Sequence, residues 1–84
     1  MLIFNIKNLK NKKISEVIEK SIRLYHMSNR EIDIINCLFK GYSNTEIADQ
    51  LFISTETVKK HLNNVYKKCA AKNRMDLMAT LLDI

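Results

Sequence analysis

Residues 55–69 carry basic and carboxamide side chains at the spacing of one helical face. At about 100° per residue, the apolar members of this segment form a single stripe of Val58, Leu62, Val65 and Cys69. The opposite side then carries three lysines and two asparagines, Lys59, Lys60, Asn63, Asn64 and Lys67. A solvated helix face usually mixes acids with bases, because Glu–Lys pairs four residues apart support it. We read this side as free of acids, which indicates that a polyanion binds there.

Lysine and asparagine are suited to contacts with nucleic acid. A lysine can donate to the acceptors on a guanine edge or to a phosphate, and an asparagine carboxamide can pair bidentately with adenine. The chain has a formal net charge of +5, and residues 55–75 hold six cations against the single acid Glu56. Residues 28–54 have more acids than bases. The positive charge is therefore concentrated on the segment with the polar face, as an anionic partner requires.

The elements that must position this segment are helical. A chain of 84 residues is long enough for one domain with a modest core. With 46% hydrophobic residues, no Pro and one Gly, it lacks the turn residues of an all-β fold. We predict an all-α protein, divided into an N-terminal part at 1–27 and a helical domain at 28–84 that contains the basic segment. Residues 1–13 read as a lead-in, and apolar spacing predicts an amphipathic helix at about 13–26 through Ile14, Val17, Ile18, Ile22 and Tyr25.

Helix-capping residues mark the remaining boundaries. "SNRE" at 28–31 and "SNTE" at 43–46 each predict a capping box, and Gly41 predicts the end of the first of these helices. The second helix should end near Leu51 or Phe52, Ser54 should cap a helix at about 55–69, and Asn73 with Asp76 should cap one that runs almost to the chain end. A short helix, a tight connection and a longer basic helix form a helix-turn-helix, which places the basic helix in the major groove.

The apolar residues predict one core and one further surface. We expect a shared core of Ile32, Ile35, Leu38, Ile47, Leu51, Val58, Leu62 and Val65. The last helix carries more apolar residues than one core-facing stripe requires, namely Met75, Leu77, Met78, Leu81 and Leu82, so a dimer contact is reasonable there. The helix at 13–26 has two open interpretations, a brace on the following domain or a second dimerisation element.

The sequence also resembles a known family. "REIDIINCLFKGYSNTEIADQL" and "ISTETVKKHLNNVYKK", within a match over about 28–82, resemble the DNA-binding domain of the LuxR/GerE family of bacterial transcription regulators. The resemblance implies a four-helix helix-turn-helix bundle, here with an extra N-terminal helical segment. It implies sequence-specific binding of double-stranded DNA, with the helix at 55–69 as the recognition helix. It also implies a homodimer that binds a pseudo-palindromic site through the last helix.

The resemblance assigns roles to individual residues. Lys59, Lys60 and Asn63 fall where family members contact bases, and the positions near phosphates are Asn44, Thr45, Thr57, His61 and Lys67. The dimer interface is expected at Met75, Met78, Leu81 and Leu82. Two positions depart from the family. "CAA" replaces the usual glycine after the recognition helix, so Ala70 must take the left-handed conformation or the helix must end differently. Met75 stands where Thr or Ser is common.

Other functions have less support. No nucleophile lies beside a base, and there is no phosphate-binding glycine loop, so we do not expect an enzyme. The main alternative is a helical interaction module that binds RNA polymerase or a sensor partner. His61 could equally be a helix residue without a phosphate contact. Tyr42, Tyr66 and Phe52 read as packing or junction residues, because they do not recur along one surface.

The sequence predicts no cofactor, metal or small-molecule ligand. Cys37 and Cys69 stand alone, without the spacing of a zinc site or a disulfide framework, and two free thiols fit a reducing cytosol. Cys69 is most simply a core residue. The opening "MLIFNI" is too short for a signal peptide's apolar core or a membrane span. We therefore expect a cytoplasmic protein.

Overall fold

The computed structural model describes residues 14–83, which form a bundle of α-helices. The helices are α1 (Ile14–Tyr25), α2 (Asn29–Phe39), α3 (Asn44–Leu51), α4 (Thr55–Cys69) and α5 (Arg74–Leu82). No strand occurs among these residues, so the prediction of an all-α fold is confirmed. Helices α2 to α5 are the four predicted bundle helices, and α1 is the extra N-terminal helix. The predicted lead-in at 1–13 lies outside the described residues.

Two of the helices begin with the predicted capping boxes. At α2, the Glu31 N–H donates to Ser28 Oγ at 3.2 Å, and the Ser28 N–H donates to Glu31 Oε1 at 2.8 Å. At α3, Ser43 and Glu46 make the same pair of bonds at 3.2 Å and 2.8 Å. Each box satisfies two backbone donors that the helix itself leaves unbonded. These starts are therefore determined by residues only three positions apart.

The other two predicted caps are also present. Ser54 Oγ accepts from the Thr57 N–H at 3.1 Å, so α4 begins directly after Ser54. Asn73 Oδ1 accepts from the Asp76 N–H at 2.8 Å and begins α5. Each side-chain oxygen replaces an acceptor that the first turn of a helix lacks. Such caps typically stabilise a helix by about 1 kcal/mol.

Gly41 ends α2 as predicted. It has φ of 82°, its N–H donates to the Leu38 carbonyl at 2.9 Å, and the Tyr42 N–H donates to the Cys37 carbonyl at 3.2 Å. This pair of bonds is a Schellman motif, which needs one residue in the left-handed conformation. Glycine adopts that conformation without a steric penalty.

Between residues 14 and 83, three residues other than glycine have a positive φ, namely His26 at 56°, Phe52 at 57° and Ala70 at 54°. Phe52 ends α3, and Ala70 ends α4. The Ala71 N–H donates to the Tyr66 carbonyl at 2.9 Å, as in a Schellman motif. The first of the two predicted alternatives is therefore the one observed, in which Ala70 takes the left-handed conformation. A non-glycine residue does so at a cost of about 1–2 kcal/mol.

The core surrounds α4. All four residues of its apolar stripe are buried, and they pack with apolar residues of the other four described helices. The predicted core is confirmed except at Ile32 and Leu51, which are only partly buried. Ile34 and Cys37 are buried on α2 although they were not in the predicted set. The reason is that α2 packs against both α1 and α4, so its buried surface is wider than one stripe.

Helix α1 packs against α2 and α5, as a brace would. Val17 is buried, and the buried Ser21 hydroxyl donates to the Val17 carbonyl at 2.8 Å. The predicted apolar face is wrong at Ile22, which is 44% exposed because the smaller Ser21 takes the inward position. No helix within residues 14–83 is both long and apolar enough to cross a membrane.

Candidate nucleic-acid interface

Helices α3 and α4 pack closely and are joined by the short turn at 52–54. Ile47 and Ala48 of α3 are buried, as are Val58, Leu62 and Val65 of α4. Because the apolar stripe of α4 faces this core, its polar side must face outward. The exposed residues on that side are Lys59, Lys60, Asn63, Asn64 and Lys67. None of these five side chains makes a hydrogen bond or ion pair with another residue of the described chain.

The reading of this face as free of acids is wrong at its N-terminal end. Glu56 is exposed and lies four residues before Lys60, which places both residues on the same side of α4. No ion pair joins them within residues 14–83. Glu56 lies in the first turn of the helix, where a carboxylate interacts favourably with the helix dipole. The exposed polar face of α4 thus combines three lysines that have no partner among the described residues with one acid at its N-terminal end.

The five residues predicted near phosphates differ in exposure and partners. Thr45 and Lys67 are exposed, whereas Asn44, Thr57 and His61 are half-buried. The Thr57 hydroxyl lies 2.9 Å from the Ser54 hydroxyl, and Asn44 Oδ1 accepts from Arg74 at 2.6 Å. Two of the five are therefore held in place by neighbouring side chains.

Lys68 has a structural role that the sequence did not suggest. Its Nζ donates to Glu31 Oε1 at 2.6 Å and to the His26 carbonyl at 2.9 Å. Burial raises the pKa of Glu31, but the hydrogen bonds from Lys68 and from the Ser28 N–H outweigh this effect, so the pKa of Glu31 lies below 4.5. Lys68 therefore joins the last turn of α4 to the start of α2.

Arg74 is a second cation with partners inside the protein. Its Nη1 donates to the Tyr42 carbonyl at 2.6 Å, and its Nη2 donates to Asn44 Oδ1 at 2.6 Å. Of the six cations at 55–75, Lys68 and Arg74 are thus bound within the protein. A local sequence pattern could not show this, because the partners lie more than 29 residues away.

Helix α5 presents part of the apolar surface that was predicted. Met75 is 82% exposed, and Met78 and Leu82 are partly buried against the core. Leu81 differs from the prediction, since it has no exposed surface and belongs to the core of the chain. It can support a contact surface on α5 but cannot form one.

The two cysteines are core residues. Both are buried and unpaired. Burial, reinforced by the charge of Glu31, raises the pKa of Cys69 to about 11, so the thiol stays protonated at neutral pH. No group of His, Cys, Asp or Glu side chains in the described chain could hold a metal ion.

The chain is similar to three longer curated proteins. The CsgBAC operon transcriptional regulatory protein of Escherichia coli K12 is 56% identical over 48 residues, which cover 57% of this chain and 22% of that protein. The Fimbriae Z protein of Escherichia coli K12 is 42% identical over 52 residues, covering 62% of this chain and 25% of that protein. The Oxygen regulatory protein NreC of Staphylococcus aureus JH9 is 38% identical over 52 residues, covering 62% and 24% respectively.

The chain thus spans about a quarter of the length of these curated relatives. No solved structure gave a significant match. The family described as bacterial regulatory proteins of the luxR family matches residues 25–81, which include α2 to α4 and nearly all of α5. This match confirms the resemblance seen in the sequence, and with it the expectation that the chain is not an enzyme. The chain belongs to the luxR family of bacterial regulatory proteins.

Proposed function

We propose that this domain binds double-stranded DNA in a sequence-specific manner as part of a bacterial transcription regulator. The observation that carries the proposal is the polar face of α4, whose exposed lysines and asparagines have no partner within the described chain. Such a face, on the second helix of a helix-turn-helix, matches a major groove in shape and charge. A relative named as an operon transcriptional regulatory protein supports the same function.

Base reading is assigned to Lys59, Lys60 and Asn63. All three are exposed: Lys59 and Lys60 lie in the N-terminal half of α4, the half that enters the groove in helix-turn-helix proteins, and Asn63 lies about one turn after them on the same side. The lysines donate to guanine acceptors, and the Asn63 carboxamide pairs with adenine. Each base contact of this kind contributes about 1–3 kcal/mol of discrimination against the wrong base.

Phosphate contacts hold the domain on the duplex. Asn44 and Thr45 begin α3, where side-chain donors and helix N–H groups lie close together. Lys67 lies about two turns of α4 after Lys60, at the level where the helix leaves the groove and approaches the backbone. Thr57 and His61, half-buried on α4, complete the set. These contacts fix the register of the domain without reading sequence.

Two copies bind one pseudo-palindromic site through α5. Met75 is an exposed large apolar residue of this helix, at 82%, and Met78 and Leu82 lie partly exposed beside the core. A symmetric contact places two recognition helices about 34 Å apart, one turn of the duplex.

Met75→Asp should abolish cooperative DNA binding while the monomer stays folded. Ile22→Asp on α1 is the matched control, because Ile22 is also an exposed apolar residue. Loss of cooperativity in the Ile22 variant alone would move the dimer contact to α1.

The DNA-binding proposal is tested by selection from a random duplex library, followed by titration over a salt series. We expect the selection to enrich one DNA sequence, and the logarithm of the association constant to fall linearly with the logarithm of the salt concentration. Lys67→Gln should reduce the slope by about one, whereas Arg23→Gln, the loss of an exposed cation on α1, should leave it unchanged. A domain that acts as a protein-interaction module would enrich no sequence and show no such difference.

A further inference from the structure

Arg74 joins α5 to the start of α3 through two side-chain hydrogen bonds. It is the first residue of α5, yet its guanidinium reaches the start of α3, where Nη1 donates to the Tyr42 carbonyl and Nη2 to Asn44 Oδ1, both at 2.6 Å. The guanidinium is planar and its donors have a fixed spacing, so two bonds to different groups define its position. Arg74 is half-buried, which limits competition from water.

This arrangement determines which way the Asn44 carboxamide points. Arginine has five N–H donors and no acceptor, so only the oxygen of Asn44 can face it. A rotated amide would place its NH₂ group against Nη2, donor against donor. The Asn44 NH₂ group is therefore directed away from Arg74 and keeps its two N–H donors for another acceptor. A phosphate oxygen is an acceptor of that kind.

We propose that Arg74 is a positioning residue for the DNA backbone contact of Asn44, and this proposal rests on the proposed function. Arg74 fixes the amide of Asn44 with its donors outward and holds the start of α3 against α5. Asn44 then contacts a phosphate without first losing the freedom of its side chain, which is the benefit of a preorganised contact. Arg74 itself acts through Asn44 and does not contact the phosphate.

The proposal is tested by a double-mutant cycle on DNA binding, with the sequence selected by the wild-type domain as probe. Arg74→Met and Asn44→Ala should each lower affinity about 10- to 150-fold, the effect of one lost hydrogen bond to a charged group. The double variant should be no weaker than Asn44→Ala alone, since both changes remove the same contact. The dependence of affinity on salt concentration should have the same slope in Arg74→Met as in Asn44→Ala. Arg23→Met is the control for the loss of one positive charge, and it should bind as the wild type does.

The outcomes separate the positioning role from its alternatives. If Arg74→Met weakens binding further in the Asn44→Ala background and lowers the salt slope by about one, Arg74 contacts phosphate directly and the positioning role is overturned. Unchanged affinity in Arg74→Met also overturns it. If Arg74→Met does not fold, Arg74→Lys is the replacement variant, because a lysine keeps the charge but lacks the paired planar donors of a guanidinium. Its affinity for DNA should fall to a similar extent. A wild-type domain that binds no duplex overturns the proposed function itself.

Discussion

Replacing Lys68 by Met should destabilise the fold, although Lys68 belongs to the basic recognition helix. The substitution keeps much of the aliphatic stem and removes the ammonium group, which bonds to Glu31 at 2.6 Å and to the His26 carbonyl at 2.9 Å. Glu31 is only 5% exposed, so its carboxylate loses its counter-charge in a place that water reaches poorly.

The size of the effect follows from the exposure of the two partners. Breaking a fully buried pair costs about 3–5 kcal/mol, but the Lys68 side chain is 35% exposed and its contribution is partly screened. We therefore expect a loss of about 1–3 kcal/mol in the free energy of unfolding at pH 7. Lys67→Met is the matched control, because the neighbouring Lys67 is exposed and has no partner among the described residues. It should change stability by less than about 0.5 kcal/mol.

The difference between wild type and Lys68→Met should depend on pH. The folded-state pKa of Glu31 is depressed below 4.5, so its stabilising contribution is present above that value and is lost as pH falls through the folded-state pKa. Urea denaturation followed by circular dichroism, at pH 7 and at a series of pH values below 4.5, measures the stability difference at neutral pH and its change in acid. Equal stability of the Lys67 and Lys68 variants at pH 7, or a gap that does not narrow in acid, would refute this reasoning.

Three further substitutions test other parts of the structure. Leu62→Ala should cost about 2–5 kcal/mol in the free energy of unfolding, because Leu62 is buried in the centre of the core; a loss below about 0.5 kcal/mol would contradict its placement. Ala70→Gly should stabilise the protein by about 0.5–1 kcal/mol, measured by thermal unfolding, since glycine takes a φ of 54° without strain. Unchanged stability would mean that Ala70 is not strained in the wild type. Glu56→Gln should strengthen binding to random duplex DNA by roughly 0.3–1 kcal/mol, because it removes an exposed negative charge from the polar face of α4, whereas unchanged binding would place Glu56 away from the backbone.

The parts of the fold that depend on near neighbours could be predicted from the sequence. The caps at Ser28, Ser43, Ser54 and Asn73 each bond to a residue three positions away, so four residues of sequence contain the whole interaction. The buried stripe of α4 is similarly a matter of periodicity along one helix. Both kinds of signal are local, and both predictions agree with the structure.

The roles that depend on distant contacts could not be predicted. Lys68 and Glu31 are 37 residues apart, and Arg74 and Asn44 are 30 apart, so no local pattern indicates that these cations are bound within the protein. Phe52 is a different case. It was read as a packing or junction residue, and it does lie at the junction of α3 and α4, where its backbone is left-handed, but it is 94% exposed and therefore does not pack against the core.

The most direct test of the account compares base reading with backbone holding on α4. Lys60→Ala, Asn63→Ala and Lys67→Ala would each be titrated on the selected duplex and on a random duplex over a salt series. We predict that Lys60→Ala and Asn63→Ala lose about 1–3 kcal/mol mainly on the selected duplex, because a base contact depends on sequence. Lys67→Ala should weaken binding to both duplexes alike and lower the salt slope by about one. If Lys60→Ala and Asn63→Ala weaken binding to random DNA as much as to the selected site, α4 does not read bases through this face, and the central claim is wrong.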